Sequence, residues 1–219
     1  MHNVTVAFAA LLVMLLSYFF GCFNGSFMVS HFIIRDDVRK HGSGNAGLTN
    51  FYRTYGAKYA LLVIACDMGK TVAACLLGSF FFRCLGWDGT LGTLLAGLGC
   101  ELGHIFPVFY GFRGGKGILS GGTLVLLLNW RVAAVAWALF LLLWLTTRYV
   151  SLASITATCS APITVYFVYA HNPIYTGLCL AVAALALWCH RKNIQHLLHG
   201  TEKKFKWHVN PTEGKEPPK

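Results

Sequence analysis

The chain predicts an all-α, polytopic integral membrane protein with seven transmembrane helices, and three observations carry that expectation. Of its 219 residues, 56% are hydrophobic and only 12% charged, where a soluble domain carries about 25%. Mean hydropathy is +0.57. Apolar runs such as 4–23, 59–82 and 117–145 reach or exceed the ~20 residues that cross a hydrocarbon core. In that core every backbone polar group must be paired internally, which leaves helices or a closed barrel. The runs are continuous and never alternate with period two, so helices are predicted.

Spans are expected over 4–24, 58–82, 91–110, 117–128, 130–146, 151–169 and 173–189. No basic residue precedes the first (Met1-His2-Asn3), so it reads as a retained helix and not a cleaved signal. The fourth and fifth are separated by Asn129-Trp130-Arg131, which cuts one long run into two short ones. A five-span alternative merges 117–146 and joins the last two runs, and it handles the later polar segments less well. Residues 1–200 form one transmembrane domain. Residues 201–219 (TEKKFKWHVNPTEGKEPPK) are polar, basic and proline-rich at the end, the composition of a disordered tail.

Seven spans place Arg35, Arg39, Lys40, Arg53, Lys58, Arg113, Lys116, Arg148 and the seven basic residues from Arg191 onward on one side. The other side holds Arg83 and Arg131. By the positive-inside rule the N-terminus is outside and the C-terminus cytoplasmic. The net charge of +10 is therefore mostly topology, plus attraction to anionic lipid of about 1 kcal/mol per basic residue. No interleaving of aromatic and basic residues suggests a nucleic-acid partner. Eight scattered cysteines without a C-x-x-C pair predict neither a disulfide framework nor a zinc site.

Three polar segments then meet on the cytoplasmic face. The first, His41-Gly42-Ser43-Gly44-Asn45-Ala46-Gly47-Leu48-Thr49-Asn50, is followed by Arg53. Its glycines let backbone N–H groups approach an anion closely, a helix starting near Thr49 would add its positive end, and Arg53 offers a bidentate grip. A flexible polar turn is the plainer alternative. The string Gly42-x-Gly44-x-x-Gly47 follows a membrane span and not a strand, so its match to a dinucleotide fingerprint is accidental.

The second segment, GHIFPVFYGFRGGKG over 103–117, places Arg113 and Lys116 on a glycine-rich turn that opens a helix. It fails the P-loop spacing, and Gly117 stands where that motif needs a hydroxyl. Interfacial anchoring accounts for Arg113 but not for three glycines around Lys116. Glu101 and His104 lie one turn apart, yet two ligands do not make a metal site. The third segment, HRKNIQHLLHGTE over 190–202, extends the last span as a helix ending near Gly200, with His190, Asn193 and Leu197 on one face. Taken alone it reads as an amphipathic helix lying on the headgroups.

Together the three segments resemble the bacterial membrane glycerol-3-phosphate acyltransferases that use acyl-phosphate (the PlsY family), with patterns like SGNxGATNxxR, GHxFPxFxxFKGGKG and HRxNIxRLxxGxE. Ser43, Gly44, Asn45, Gly47, Thr49, Asn50 and Arg53 fit the first, and Gly103, His104, Phe106, Pro107, Phe109 and Gly114 to Gly117 the second. His190, Arg191, Asn193, Ile194, Leu197, Gly200 and Glu202 fit the third. The likeness covers the whole chain, including an Asp67…Lys70 pair in the second span. Departures are Leu48 for Ala, Arg113 for Lys, His196 for a basic residue, and Gly21-Cys22-Phe23-Asn24 where the family shows Gly-Ser-x-Pro.

The resemblance implies acyl transfer from acyl-phosphate to the 1-hydroxyl of glycerol 3-phosphate, giving lysophosphatidic acid and phosphate, the first step of phospholipid synthesis, in a bacterial inner membrane. It implies phosphate contacts from Ser43, Gly44, Asn45, Thr49, Asn50, Arg53, His104, Gly114, Gly115, Lys116 and Gly117, and catalytic roles for His190, Asn193, Lys116 and Arg53. The base is either His190 or a substrate phosphate oxygen. No metal, cofactor, nucleic acid or obligate protein partner is expected. Two rivals differ in class. A soluble-type acyltransferase would use His31…Asp36 as H-x₄-D, but its companion motifs are missing. A transporter for a phosphorylated solute would need ionisable residues along a midplane path, where Asp67 and Lys70 are the candidates.

Overall fold

The computed structural model describes residues 2–207, with side chains from Val4 onward, and no strand occurs among the described residues. The helices are α1 (His2–Cys22), α2 (Gly25–Met28), α3 (Leu48–Tyr55), α4 (Ala60–Cys84), α5 (Gly89–Ile105), α6 (Ile118–Leu128), α7 (Trp130–Thr147), α8 (Val150–Val168), α9 (Pro173–Cys189) and α10 (Arg191–Leu198). All seven predicted stretches are helical. Fewer are long enough to cross a bilayer.

Among the described residues five stretches qualify by length and apolarity, namely Val4–Ile34, Ala60–Cys84, Gly89–Tyr110, Trp130–Thr147 and Val150–Val168. A sixth, α9 with α10, is bent by 60°. The expected fourth span is α6, whose 11 residues rise about 16 Å, half of a ~30 Å core. Five stretches, or six with the bent pair, thus have the length and apolarity of a span by themselves, where the sequence predicts seven, and α6 is the short one. α6 is short because the chain breaks at Asn129. Its side chain accepts from the Arg131 N–H at 2.9 Å and starts α7, while the Tyr169 hydroxyl donates to the Leu128 carbonyl at 2.8 Å.

The first stretch also departs from its expected end at residue 24. After α1 the chain breaks, the Asn24 carboxamide accepts from the Phe27 N–H at 2.9 Å, and helix resumes through α2 and a π-helical turn at Val29–Ile34. Arg35 closes it at φ 64°. Asn24 also donates to the Ala46 carbonyl at 2.9 Å. The residue that departs from the family pattern therefore ties this break to the first polar segment.

α5 is the buried central helix, and α1 and α4 lie against it. Close approach rests on absent side chains: a Cβ at Gly103 would collide with the Tyr18 carbonyl oxygen, and one at Gly99 with that of Met14. Small residues let helix backbones meet where lipid gives no hydrophobic drive to pack. Leu94, Val125, Val132, Ala136 and Val165 join α5 to α6, α7 and α8. Phe27, Val29, Val38, Phe51 and Val63 seat the 27–51 segment on α4. Large exposed apolar side chains such as Phe8, Leu61, Phe80, Leu142 and Phe167 face outward, as a lipid-solvated surface requires.

Gly103→Ala is therefore expected to lower unfolding stability in detergent by at least about 2 kcal/mol. Gly177→Ala, whose Cβ meets nothing within 4 Å, should leave it unchanged or raise it by up to about 1 kcal/mol. Equal thermal melts for the two would contradict the α1–α5 packing.

Candidate active site

The first polar segment is organised from within. Gly42 and Gly44 turn the chain at φ 60° and 69°, and the buried Asn50 side chain holds the turn. Its Oδ1 accepts from the Ser43 N–H at 2.9 Å, and its Nδ2 donates to the Val38 and His41 carbonyls at 3.1 Å each. Both amide protons of Asn50, expected to contact substrate, are thus committed inside the loop. α3 follows without a side-chain cap. Ser43 is exposed and Thr49 half-buried beside it. The Asn45 Oδ1 is buried without a hydrogen-bond partner among the described residues.

The second segment folds back on α5. Gly115 N–H donates to the His104 carbonyl at 3.0 Å and Gly114 N–H to that of Ile105 at 3.1 Å. Ala46 N–H donates to the Gly114 carbonyl at 3.3 Å, which brings Ser43, Gly44 and Asn45 alongside the glycine turn. Gly117, at φ 79°, starts α6. Arg113 is exposed and takes no part.

The third segment meets both. The Lys116 ammonium donates to Asn193 Oδ1. Asn193 Nδ2 donates to Glu202 Oε1 at 2.8 Å, and the Ser151 hydroxyl donates to the same oxygen at 2.6 Å. Arg53 donates to the Lys203 carbonyl at 3.0 Å. His190 is buried, with Nδ1 2.8 Å from the Ala186 carbonyl. A carbonyl only accepts, so Nδ1 carries the proton and Nε2 the lone pair.

Arg53, Lys116, His190 and Asn193 therefore lie together around a carboxylate, Glu202, that sequence reasoning did not place in the site. Glu202 and Ser151 are additions to the site. A signal for Glu202 existed: it is the first acidic residue after Glu101 and ends the third motif. Residues 201–207, read as the start of a disordered tail, pack across this region. Phe205 N–H donates to the Arg148 carbonyl at 2.8 Å, its ring lies 5.2 Å from Tyr52 and 5.4 Å from Trp144, and the Tyr52 hydroxyl donates to the Trp207 carbonyl at 2.7 Å. Phe205 and Trp207 supply apolar area within a basic run. The rest of that tail, 208–219, lies outside the described residues.

Burial pushes Lys116 down to about 8, with Glu202 partly opposing it. Burial likewise lowers Arg53, again against Glu202. Two partly dehydrated cations share one carboxylate, leaving net positive charge where water is scarce, a setting that favours an added oxyanion. Beneath lies a polar cluster within the helices. Lys70 Nζ is 2.8 Å from Asp67 Oδ1 and 2.7 Å from His104 Nδ1, and it donates to the Gly21 and Phe23 carbonyls at 3.1 Å each. Glu101 Oε1 is buried without a hydrogen-bond partner among the described residues. Among the described residues no three His, Cys, Asp or Glu side chains form a metal-holding group.

Residues 11–200 match the sequence model of the family described as glycerol-3-phosphate acyltransferase. A glycerol-3-phosphate acyltransferase of Finegoldia magna is 38% identical over 86% of this chain and 92% of its own length. That of Thermoanaerobacter pseudethanolicus is 36% identical over 90% and 96%. Crystal structures of PlsY, an integral membrane glycerol 3-phosphate acyltransferase, superpose with TM-scores of 0.79 for the glycerol 3-phosphate form and 0.77 for the lysophosphatidic acid form. They are 36% and 34% identical, each pairing 90% of this chain with 96% of the other.

The electrostatics predict a titration. Modification of the Lys116 amine by a neutral acylating reagent should rise with pH through a midpoint near 8, since only the free amine reacts. Glu202→Gln, which removes the anion that favours the cation, should move that midpoint lower. A midpoint above 10, indifferent to Glu202→Gln, would contradict the dehydrated setting.

Proposed function

The chain belongs to the glycerol-3-phosphate acyltransferase family, and on that premise we propose that it acylates the 1-hydroxyl of glycerol 3-phosphate from acyl-phosphate, releasing lysophosphatidic acid and phosphate. It is a helical integral membrane protein, and we place its site on the cytoplasmic face of a bacterial inner membrane, with the N-terminus outside. The observation that carries this reading is the convergence of Arg53, Lys116 and Asn193 at the junction of three polar segments. Both substrates carry phosphate, and the junction offers two dehydrated cations; the Gly44, Gly114 and Gly115 N–H groups expected to contact it are instead given to the His41, Ile105 and His104 carbonyls.

The chemistry asks little beyond placement. An acyl-phosphate is already activated, so holding two substrates in reacting geometry and neutralising the departing phosphate supply most of the acceleration. The hydroxyl oxygen of glycerol 3-phosphate attacks the acyl carbon. The acyl carbon–oxygen bond to phosphate breaks, and its electron pair leaves on the phosphate. The hydroxyl proton passes to His190 Nε2 or to a phosphate oxygen. Lys116 and Arg53 neutralise phosphate charge, Asn193 orients Lys116, and Ser43, Asn45 and Thr49 line the approach. Ser43 contacts phosphate and carries no acyl group. The transporter alternative gains no support, because Asp67 and Lys70 are buried and locked to each other at 2.8 Å.

Arg53→Ala and Lys116→Ala should each remove a charge-assisted contact worth about 1.5–3 kcal/mol, a fall in kcat/KM of roughly ten- to several-hundred-fold. Arg113→Ala should change it by less than about threefold. Full activity in Arg53→Ala with loss in Arg113→Ala would reverse these roles.

Donor choice tests the reaction itself. A CoA thioester needs a nucleotide-docking surface that these short loops do not build, whereas an acyl-phosphate head fits beside Lys116 with its chain among the helices. The purified protein in lipid should turn over palmitoyl-phosphate and glycerol 3-phosphate without added metal, and show no rate with palmitoyl-CoA. The opposite pattern would refute the donor assignment.

A further inference from the structure

We infer that Lys70 is a positioning residue, holding His104 in the tautomer whose Nε2–H faces the glycine turn where, on the reading above, phosphate is bound. His104 Nδ1 lies 2.7 Å from the Lys70 ammonium. An ammonium has three donors and no acceptor, so a ring nitrogen at that distance presents its lone pair, and the neutral ring carries its proton on Nε2. Asp67 Oδ1, the competing partner for that nitrogen, is farther away at 3.5 Å, and it already accepts from Lys70 at 2.8 Å and from the Gly25 N–H at 3.0 Å.

The opposite edge of the ring reaches the site. A Cβ placed on Gly115 would fall on His104 Nε2, and the Ala46 carbonyl oxygen lies 2.9 Å from the same point. Gly115 belongs to the second polar segment and Ala46 to the first, so Nε2–H sits at their seam. Asn45 Oδ1, unpartnered among the described residues, is contributed by the residue just before Ala46. Glycine at 115 is what leaves the ring this room.

Lysine suits the position better than a neutral donor. Its three protons meet four acceptors: the two shortest contacts, to His104 Nδ1 and Asp67 Oδ1, take one each, and the Gly21 and Phe23 carbonyls at 3.1 Å each, which the break after α1 leaves without helical partners, share the third. If Lys70 only filled those carbonyls, the proton position on His104 would not depend on it. That is the difference to measure.

Full-length protein labelled with ¹⁵N-histidine, in detergent, supplies the test, with the His104 signals assigned by their loss in His104→Gln. The proton should be found on Nε2, and Nδ1 should show the shift of an unprotonated, hydrogen-bonded nitrogen. Asp67→Leu/Lys70→Gln removes the ion pair but keeps an N–H donor, and should preserve that pattern. Asp67→Leu/Lys70→Met removes the donor and frees the Gly21 and Phe23 carbonyls to accept, so the proton should move to Nδ1. Relative to the Gln variant, the Met variant should show a KM about tenfold higher for a phosphate substrate, the loss of one hydrogen bond to a charged oxygen, with kcat within about threefold. A wild-type proton on Nδ1, or a Met variant that keeps both the Nε2 proton and the Gln variant's KM, overturns the inference. The wild-type spectrum overturns it, by a proton on Nδ1, even if the variants do not fold. It also requires no turnover, so failure of the proposed reaction would register separately as absent activity with an intact Nε2–H.

Discussion

One ammonium group at the break in the first membrane stretch holds much of this molecule together. Hydrocarbon offers no water to carbonyls released by a broken helix, and an unpaired charge at depth is costly. Lys70 answers both demands by donating to Gly21 and Phe23 while pairing with Asp67. With the carbonyls satisfied, α1 can stop at Cys22, and Asn24 can both cap α2 and fasten Ala46. Ala46 in turn is bonded to Gly114. The placement of the two glycine-rich segments thus traces back to one buried lysine.

The cationic junction above it is built on the same logic with the signs reversed. Arg53 and Lys116 lie close together with little water, and Glu202 is the anion that makes this tolerable in the unliganded protein, tied in place by Ser151 and Asn193. Lys116 reaches Asn193 and not the carboxylate itself. A carboxylate so placed lowers the cost of gathering the cations without neutralising them fully. This leaves attraction for a substrate phosphate, on the proposed reading, and accounts for an acidic residue closing a motif otherwise rich in basic ones.

Much of this was legible in the sequence, and the gaps have particular causes. Continuous apolar runs marked every long helix, and Asn129 announced the break before α7 because an asparagine that can cap interrupts such a run. Length alone could not show that α6 has only 11 residues, since neighbouring apolar residues lend it apparent length. The extension to Ile34 was hidden because Asn24 reads as a loop residue until it is seen capping a helix. Asn50 was ambiguous in kind: an amide in a glycine-rich segment suits a ligand or a turn equally, and three hydrogen bonds decide for the turn. Glu202 and Phe205 were missed because a polar, basic tail masks the few residues that pack.

The central claim is that three segments far apart in sequence form one site on one face of the membrane. Single cysteines at positions 43, 116, 196, 84 and 129, in a cysteine-free background, can be treated in intact cells with a membrane-impermeant maleimide. The account predicts labelling at 84 and 129 in intact cells, and at 43, 116 and 196 only after permeabilisation. Labelling of 43 or 116 from outside while 196 stays protected would place the segments on opposite faces and contradict it.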